Sequence, residues 1–188
     1  MNNSEKQQKL EEAAKVESEM LISSKFFKIR REILHFPDHP PHEWMVIDHP
    51  GAVAMIPVAD DGDLILIRQW RRPIEKIIYE IPAGCIDPGE SLETCAQREL
   101  QEEVNYKAQS LISLGAVYPA PGYSNEKLHF FIAKGLEESS LDEDIHEAID
   151  VEKLSLERCL QLVDSGNIDD AKTITAILRY DRWLKTHA

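Results

Sequence analysis

Leu92, Ala96, Leu100 and Val104 recur at spacing four just after Ser91. At about 100° per residue that spacing predicts a helix with one buried stripe. Ser91 suits its N-cap, and Glu93 complements the positive end of the helix dipole. Beside the stripe lies the run Arg98-Glu99-Leu100-Gln101-Glu102-Glu103-Val104-Asn105-Tyr106. It places Glu99, Glu102 and Glu103 within roughly a 100° sector. Three carboxylates so close repel one another, and exposed helices usually relieve this with interleaved lysines. Here the acidic sector borders a packed face, where a hard divalent cation is the natural counter-ion.

Gly84, Glu90 and Arg98-Glu99 precede and open this run, giving Gly-x5-Glu-x7-Arg-Glu-Leu-x-Glu-Glu-x-Asn-Tyr. The pattern resembles the Nudix box, with every charged position filled. Its one clear departure is Asn105, where the family has Gly; Asn is the next-best residue for a left-handed helix C-cap. Three further stretches resemble the ADP-ribose and nucleoside-diphosphate-sugar pyrophosphatases of that family: Arg68-Gln69-Trp70-Arg71-Arg72-Pro73, Tyr79-Glu80-Ile81-Pro82-Ala83-Gly84 and Pro121-Gly122-Tyr123-Ser124-Asn125-Glu126. So does Gly166-Asn167-Ile168-Asp169-Asp170-Ala171, and Pro121 stands about 15 residues beyond the box, where the subfamily has a marker proline.

The resemblance implies an α+β Nudix fold, a mixed β-sheet sandwiched between helices, and hydrolysis of a nucleotide sugar to a nucleoside monophosphate and a sugar phosphate. ADP-ribose is the leading substrate, with GDP-mannose and other nucleotide sugars open. It implies Mg²⁺ or Mn²⁺ held by Glu99 and Glu103, by Glu102 directly or through water, and by the carbonyl of Ala83. Gly84, Glu90 and Arg98 are then structural parts of the box, with Arg98 paired to Glu90. The base that activates water comes, by the same resemblance, from the acidic loop Asp142–Glu147, with Glu147 first and Glu143 second; Glu102 is a further catalytic candidate. Arg71, Glu80 and Glu126 are substrate-binding candidates, and Arg71 suits bidentate contact with a diphosphate. Phe26 falls where relatives stack the nucleobase, with Trp44 and Phe36 as alternatives, and its placement implies a homodimer. Two rivals remain within the fold: a sensor that binds ADP-ribose without cleaving it, and a hydrolase of nucleoside triphosphates or RNA caps.

The balance of 34 acidic against 21 basic residues, a net charge of −13, argues against nonspecific nucleic-acid binding. Three cysteines without metal-ligand spacing fit a reducing compartment. No apolar run reaches membrane-spanning length, and the N-terminus is polar and charged rather than signal-like, so the expected location is cytoplasmic with no membrane partner.

Residues 1–50 read as an N-terminal helical and β extension and 51–188 as the hydrolase domain. Residues 4–20, rich in Glu, Lys, Gln and Ala, are expected to be helical or frayed. His35, His39 and His42 come from a Pro-rich connector without helical or hairpin register and read as ordinary loop histidines. Gly51–Val58 and Leu64–Trp70 are expected to form a hairpin about the Gly62 turn. Strands are also expected near 111–118, 128–132 and 149–154, and helices over 156–163 and 171–184.

Overall fold

The structure is a computed structural model and describes residues 2–24, 27–141 and 148–187. Backbone contacts divide the chain into two units, Met1–Pro50 with Ala120–Glu126, and Gly51–Pro119 with Lys127–Ala188. No helix among the described residues is long and apolar enough to cross a membrane.

The first unit opens with α1 (Asn3–Glu12), capped by a reciprocal pair in which the Asn2 side chain accepts the Glu5 N–H and the Glu5 carboxylate accepts the Asn2 N–H, both at 2.9 Å. The helix ends earlier than the composition suggests. Residues from Lys15 onward form β1 (Lys15–Ser23), which pairs antiparallel with β2 (Lys28–His35), itself paired with β3 (His42–Asp48). Pairing overrides the helical propensity of the Glu- and Lys-rich stretch because Val16, Met20 and Ile22 meet Leu34, Arg30 and Ile29 across the ladder. The loop Ala120–Glu126 joins this unit through Ile47, whose N–H donates to Tyr123 O at 2.7 Å.

The second unit holds β4 (Ala52–Pro57), β5 (Leu64–Arg71), β6 (Lys76–Glu80), β7 (Ala83–Cys85), α2 (Leu92–Glu103), β8 (Tyr106–Val117), β9 (Leu128–Glu138), β10 (Ile149–Leu154), α3 (Leu156–Asp164) and α4 (Ala171–His187). They build a four-stranded mixed sheet in the order β7-β4-β9-β8 and a three-stranded sheet in the order β10-β5-β6. The expected hairpin between the runs 51–58 and 64–70 does not form. β4 pairs parallel with β9 and antiparallel with β7; across the turn there is an isolated bridge between Val58 and Leu64, with Ala59 N–H donating to Asp63 O at 2.9 Å. The reason is burial: all six residues of β4 are inside, and a strand covered on both faces suits the centre of a mixed sheet better than one arm of a hairpin.

Alternate residues of β4 serve two cores. Val53 and Met55 pack with Cys95, Ala96 and Leu100 of α2, and Ala52, Ala54 and Ile56 pack with Cys159 and Leu162 of α3 and Ala176, Ile177 and Tyr180 of α4. The second unit is thus an α+β layering with helices on both faces of its mixed sheet. Burial pushes the Cys159 thiol up to about 11, as suits an inert core cysteine.

Candidate active site

α2 begins where Ser91 Oγ accepts the Thr94 N–H at 3.1 Å, and its stripe Ala96, Leu100 and Val104 is buried. Asn105 leaves the helix at φ +60, the left-handed conformation expected of the box's last loop residue. With that stripe fixed on the sheet, the acidic sector turns toward β7.

There the chain is cut to fit. A Cβ on Gly84 would overlap the Glu99 carboxylate, so only glycine lets the strand lie beneath it. Next to it, Ala83 N–H donates to Glu103 Oε2 at 2.9 Å. Glu99 and Glu103 are each only 8% exposed.

Arg98 is the organiser. Its Nε and Nη2 donate to the two oxygens of Glu90, both at 3.0 Å, and Nη2 also donates to Cys85 O at 3.1 Å. Its Nη1 donates to Glu99 Oε1 at 2.6 Å and Glu102 Oε2 at 3.0 Å. The expected pairing of Arg98 with Glu90 is present, and two more box carboxylates share it. These hydrogen bonds hold the guanidinium firmly charged and pull the Glu90 carboxyl from 4.5 down to about 2, against the opposing push of burial. Cys95 lies beneath as a neutral thiol, its pKa raised by burial, its Sγ–H donating to Cys85 O.

The Glu90 carboxyl carries a pH signature. A carboxyl with a lowered folded-state pKa contributes stability that is complete above its ordinary value and is lost as pH falls through the depressed one. Melting temperatures of wild type should therefore fall between about pH 4.5 and about pH 2 more steeply than those of Glu90→Gln. At neutral pH the same substitution should cost about 1–3 kcal/mol, since it strips a charged partner from Arg98.

A second cluster begins three residues before Ala83. Glu80 closes β6 at 1% exposure, and Arg71 at the end of β5 grips it with Nε to Oε1 at 2.5 Å and Nη2 to Oε2 at 2.7 Å. Lys172, in the first turn of α4, donates to Glu80 Oε2 as well. Burial alone would raise the Glu80 pKa, but the Arg71 hydrogen bonds and the Lys172 charge outweigh it and keep the carboxyl below its ordinary value. Thr173 completes the cluster, accepting the Ile81 N–H at 2.9 Å. On β5 itself, Gln69 is 6% exposed and its Oε1 has no hydrogen-bond partner; strand alternation puts it on the same side as Arg71.

Of the residues read from the sequence, the structure brings together Ala83, Gly84, Glu90, Arg98, Glu99, Glu102 and Glu103, and separately joins Arg71 to Glu80. Glu126 sits in the loop of the first unit, its N–H donating to Ser124 Oγ at 3.1 Å. Phe26, Glu143 and Glu147 lie outside the described residues. Lys172, Thr173 and Gln69 escaped the sequence reading. Lys172 had a signal: Glu80 stands in the apolar stretch Ile77-Ile78-Tyr79-Glu80-Ile81, and a carboxylate buried there needs counter-charge.

The donor set suits a hard dication: three carboxylates on one helix turn, two of them buried, with a cradle beneath that a side chain would fill. As they stand, no three acidic, histidine or cysteine side chains among the described residues converge to hold one. Glu99 and Glu102 are turned to Arg98, and Glu103 to the Ala83 amide.

A NUDIX domain profile matches residues 48–176, more than half of the chain. The chain belongs to the Nudix family. Among relatives of this Nudix protein, the ADP-ribose pyrophosphatase of Bacillus subtilis (strain 168) is 39% identical over 166 residues, 86% of this chain and 89% of that protein. The methanol dehydrogenase activator of Bacillus methanolicus is 34% identical over 173 residues, 90% of this chain and 92% of the other. The crystal structure of an ADP compounds hydrolase matches the Nudix chain with a TM-score of 0.82 at 28% identity, covering 93% of this chain and 96% of that one.

Proposed function

We propose that this Nudix protein is a hydrolase that splits the diphosphate bridge of a nucleotide sugar, with ADP-ribose the first substrate to try. The observation that carries the reading is the fit of Gly84 beneath Glu99, with the Ala83 amide on Glu103, because it sets two buried carboxylates against the backbone of one short strand, β7. The names of the relatives, an ADP-ribose pyrophosphatase at 39% identity above all, supply the substrate class.

Glu99 and Glu103 hold the metal, Mg²⁺ or Mn²⁺, with Glu102 and the Ala83 carbonyl completing the set. When bound, a dication neutralises the nonbridging phosphate oxygens and makes water a better nucleophile at neutral pH. Arg98 keeps the rotamers of Glu99 and Glu102 from wandering. Arg71, held by Glu80, meets the diphosphate through its guanidinium. Glu147, or failing it Glu143, takes the proton of the attacking water. The oxygen of that water bonds to one phosphorus as the bridging P–O bond breaks, giving a nucleoside monophosphate and a sugar phosphate. The working form is a cytoplasmic homodimer whose extension stacks the nucleobase on Phe26.

Purified protein should release phosphatase-sensitive product from ADP-ribose, GDP-mannose or another nucleotide sugar with Mg²⁺, and EDTA should abolish it. Silence across the whole panel would remove the proposal, and a preference for nucleoside triphosphates would redirect it. Sedimentation at micromolar concentration tests the dimer; a monomer would sink that part.

A further inference from the structure

Glu80 is one anion between two cations. Arg71 reaches it from β5 and Lys172 from α4, and at 1% exposure water screens these contacts little. An arginine–carboxylate pair alone carries no net charge, whereas the trio of Arg71, Glu80 and Lys172 carries +1. Lys172 also meets Asp170, at 3.0 Å. Its Oδ2 also accepts the Thr173 N–H at 3.0 Å and the Thr173 hydroxyl at 2.6 Å. That is the N-terminal turn of α4, where the partial positive charge of the helix end offsets a carboxylate.

We propose that Lys172 is a positioning residue for the diphosphate site: it offsets the charge of Glu80, so that Glu80 can lock the Arg71 guanidinium in place without cancelling its attraction for an anionic substrate. The proposal rests on the nucleotide-sugar reading above. Arg71 keeps 38% of its side chain exposed while both donors named above are committed to Glu80, which is the arrangement of a charge that is oriented yet accessible. Glu80 alone would orient Arg71 but leave the pair neutral. Lys172 restores the charge from α4, with 18% of its side chain exposed against 38% for Arg71.

The separation of charge from packing makes this testable. Lys172→Met, Lys172→Arg and the double variant Glu80→Gln/Lys172→Met are compared with wild type on ADP-ribose and Mg²⁺, reading kcat and KM separately. Lys172→Met should raise KM roughly tenfold, the size of one well-placed charge contact, with kcat within about threefold. Lys172→Arg should keep KM near that of wild type. In the double variant the three positions again sum to +1, as in wild type, and most of the KM loss should be recovered. It also contains no under-compensated buried anion, so it reads the charge effect even if Lys172→Met folds poorly. An unchanged KM in folded Lys172→Met, or a double variant as impaired as the single one, would overturn the proposal and leave Lys172 a packing residue. Calorimetric binding of ADP in EDTA follows the same variants without turnover. A wild type inactive on every nucleotide sugar then counts against the activity alone, while the charge role stands or falls on the binding series.

Discussion

Glu103→Gln should lower turnover by roughly three orders of magnitude or more, because it removes a charged oxygen donor from the proposed metal site, where charge stabilisation would be concentrated. The substitution is nearly isosteric, and Gln Oε1 can still accept the Ala83 N–H that Glu103 accepts at 2.9 Å. Glu103 also lies one turn from Glu99, so removing its charge relieves repulsion between two buried carboxylates. The metal-free melting temperature should therefore stay level or rise slightly. Added Mg²⁺ or Mn²⁺ should raise the melting temperature of wild type, since a ligand that binds only the folded state stabilises it, and should do so much less in the variant. Activity within about tenfold of wild type would exclude Glu103 as a ligand.

Gly84→Ala is the second large effect, and it comes from one methyl group. Gly84 has an ordinary backbone conformation, so alanine is not disfavoured there by φ; the whole cost is the overlap of its Cβ with Glu99. Either the carboxylate is driven off its place beside Arg98 or β7 shifts from its pairing with Val53. Activity should drop by about a hundredfold or more, with a stability loss of about 1–3 kcal/mol. Gly122→Ala is the control. A Cβ there meets nothing within 4 Å and φ is again ordinary, so its activity and melting temperature should be those of wild type. Full activity in Gly84→Ala would show that Glu99 need not occupy its present position.

What could be read from the chain follows the range of the forces. The helix carrying the glutamates was legible because its stripe, its Ser91 cap and its Asn105 exit are all local, decided within a few residues. The strand at 149–154 and the helices after it were legible for the same reason. The pairing of β4 was not. Residues 52–57 are apolar throughout, and nothing in that run says that its neighbour is Leu128–Ala133, some 75 residues away, rather than Leu64–Trp70. β1 misled in the opposite direction, because its charged composition favours a helix while its partner β2 supplies the ladder. Within the site, the box residues came from spacing and resemblance. Lys172 came from neither, because its meeting with Glu80 joins residues 92 apart in the chain.

The double duty of β4 bears on how the enzyme fails. One ribbon serves as floor for the glutamate helix and as ceiling for α3 and α4. Heat cannot strip away the rear helices and leave the glutamate helix seated in place, since both rooms share the same wall. Loss of catalysis and loss of the far-ultraviolet helical signal of the second unit should coincide at a single temperature.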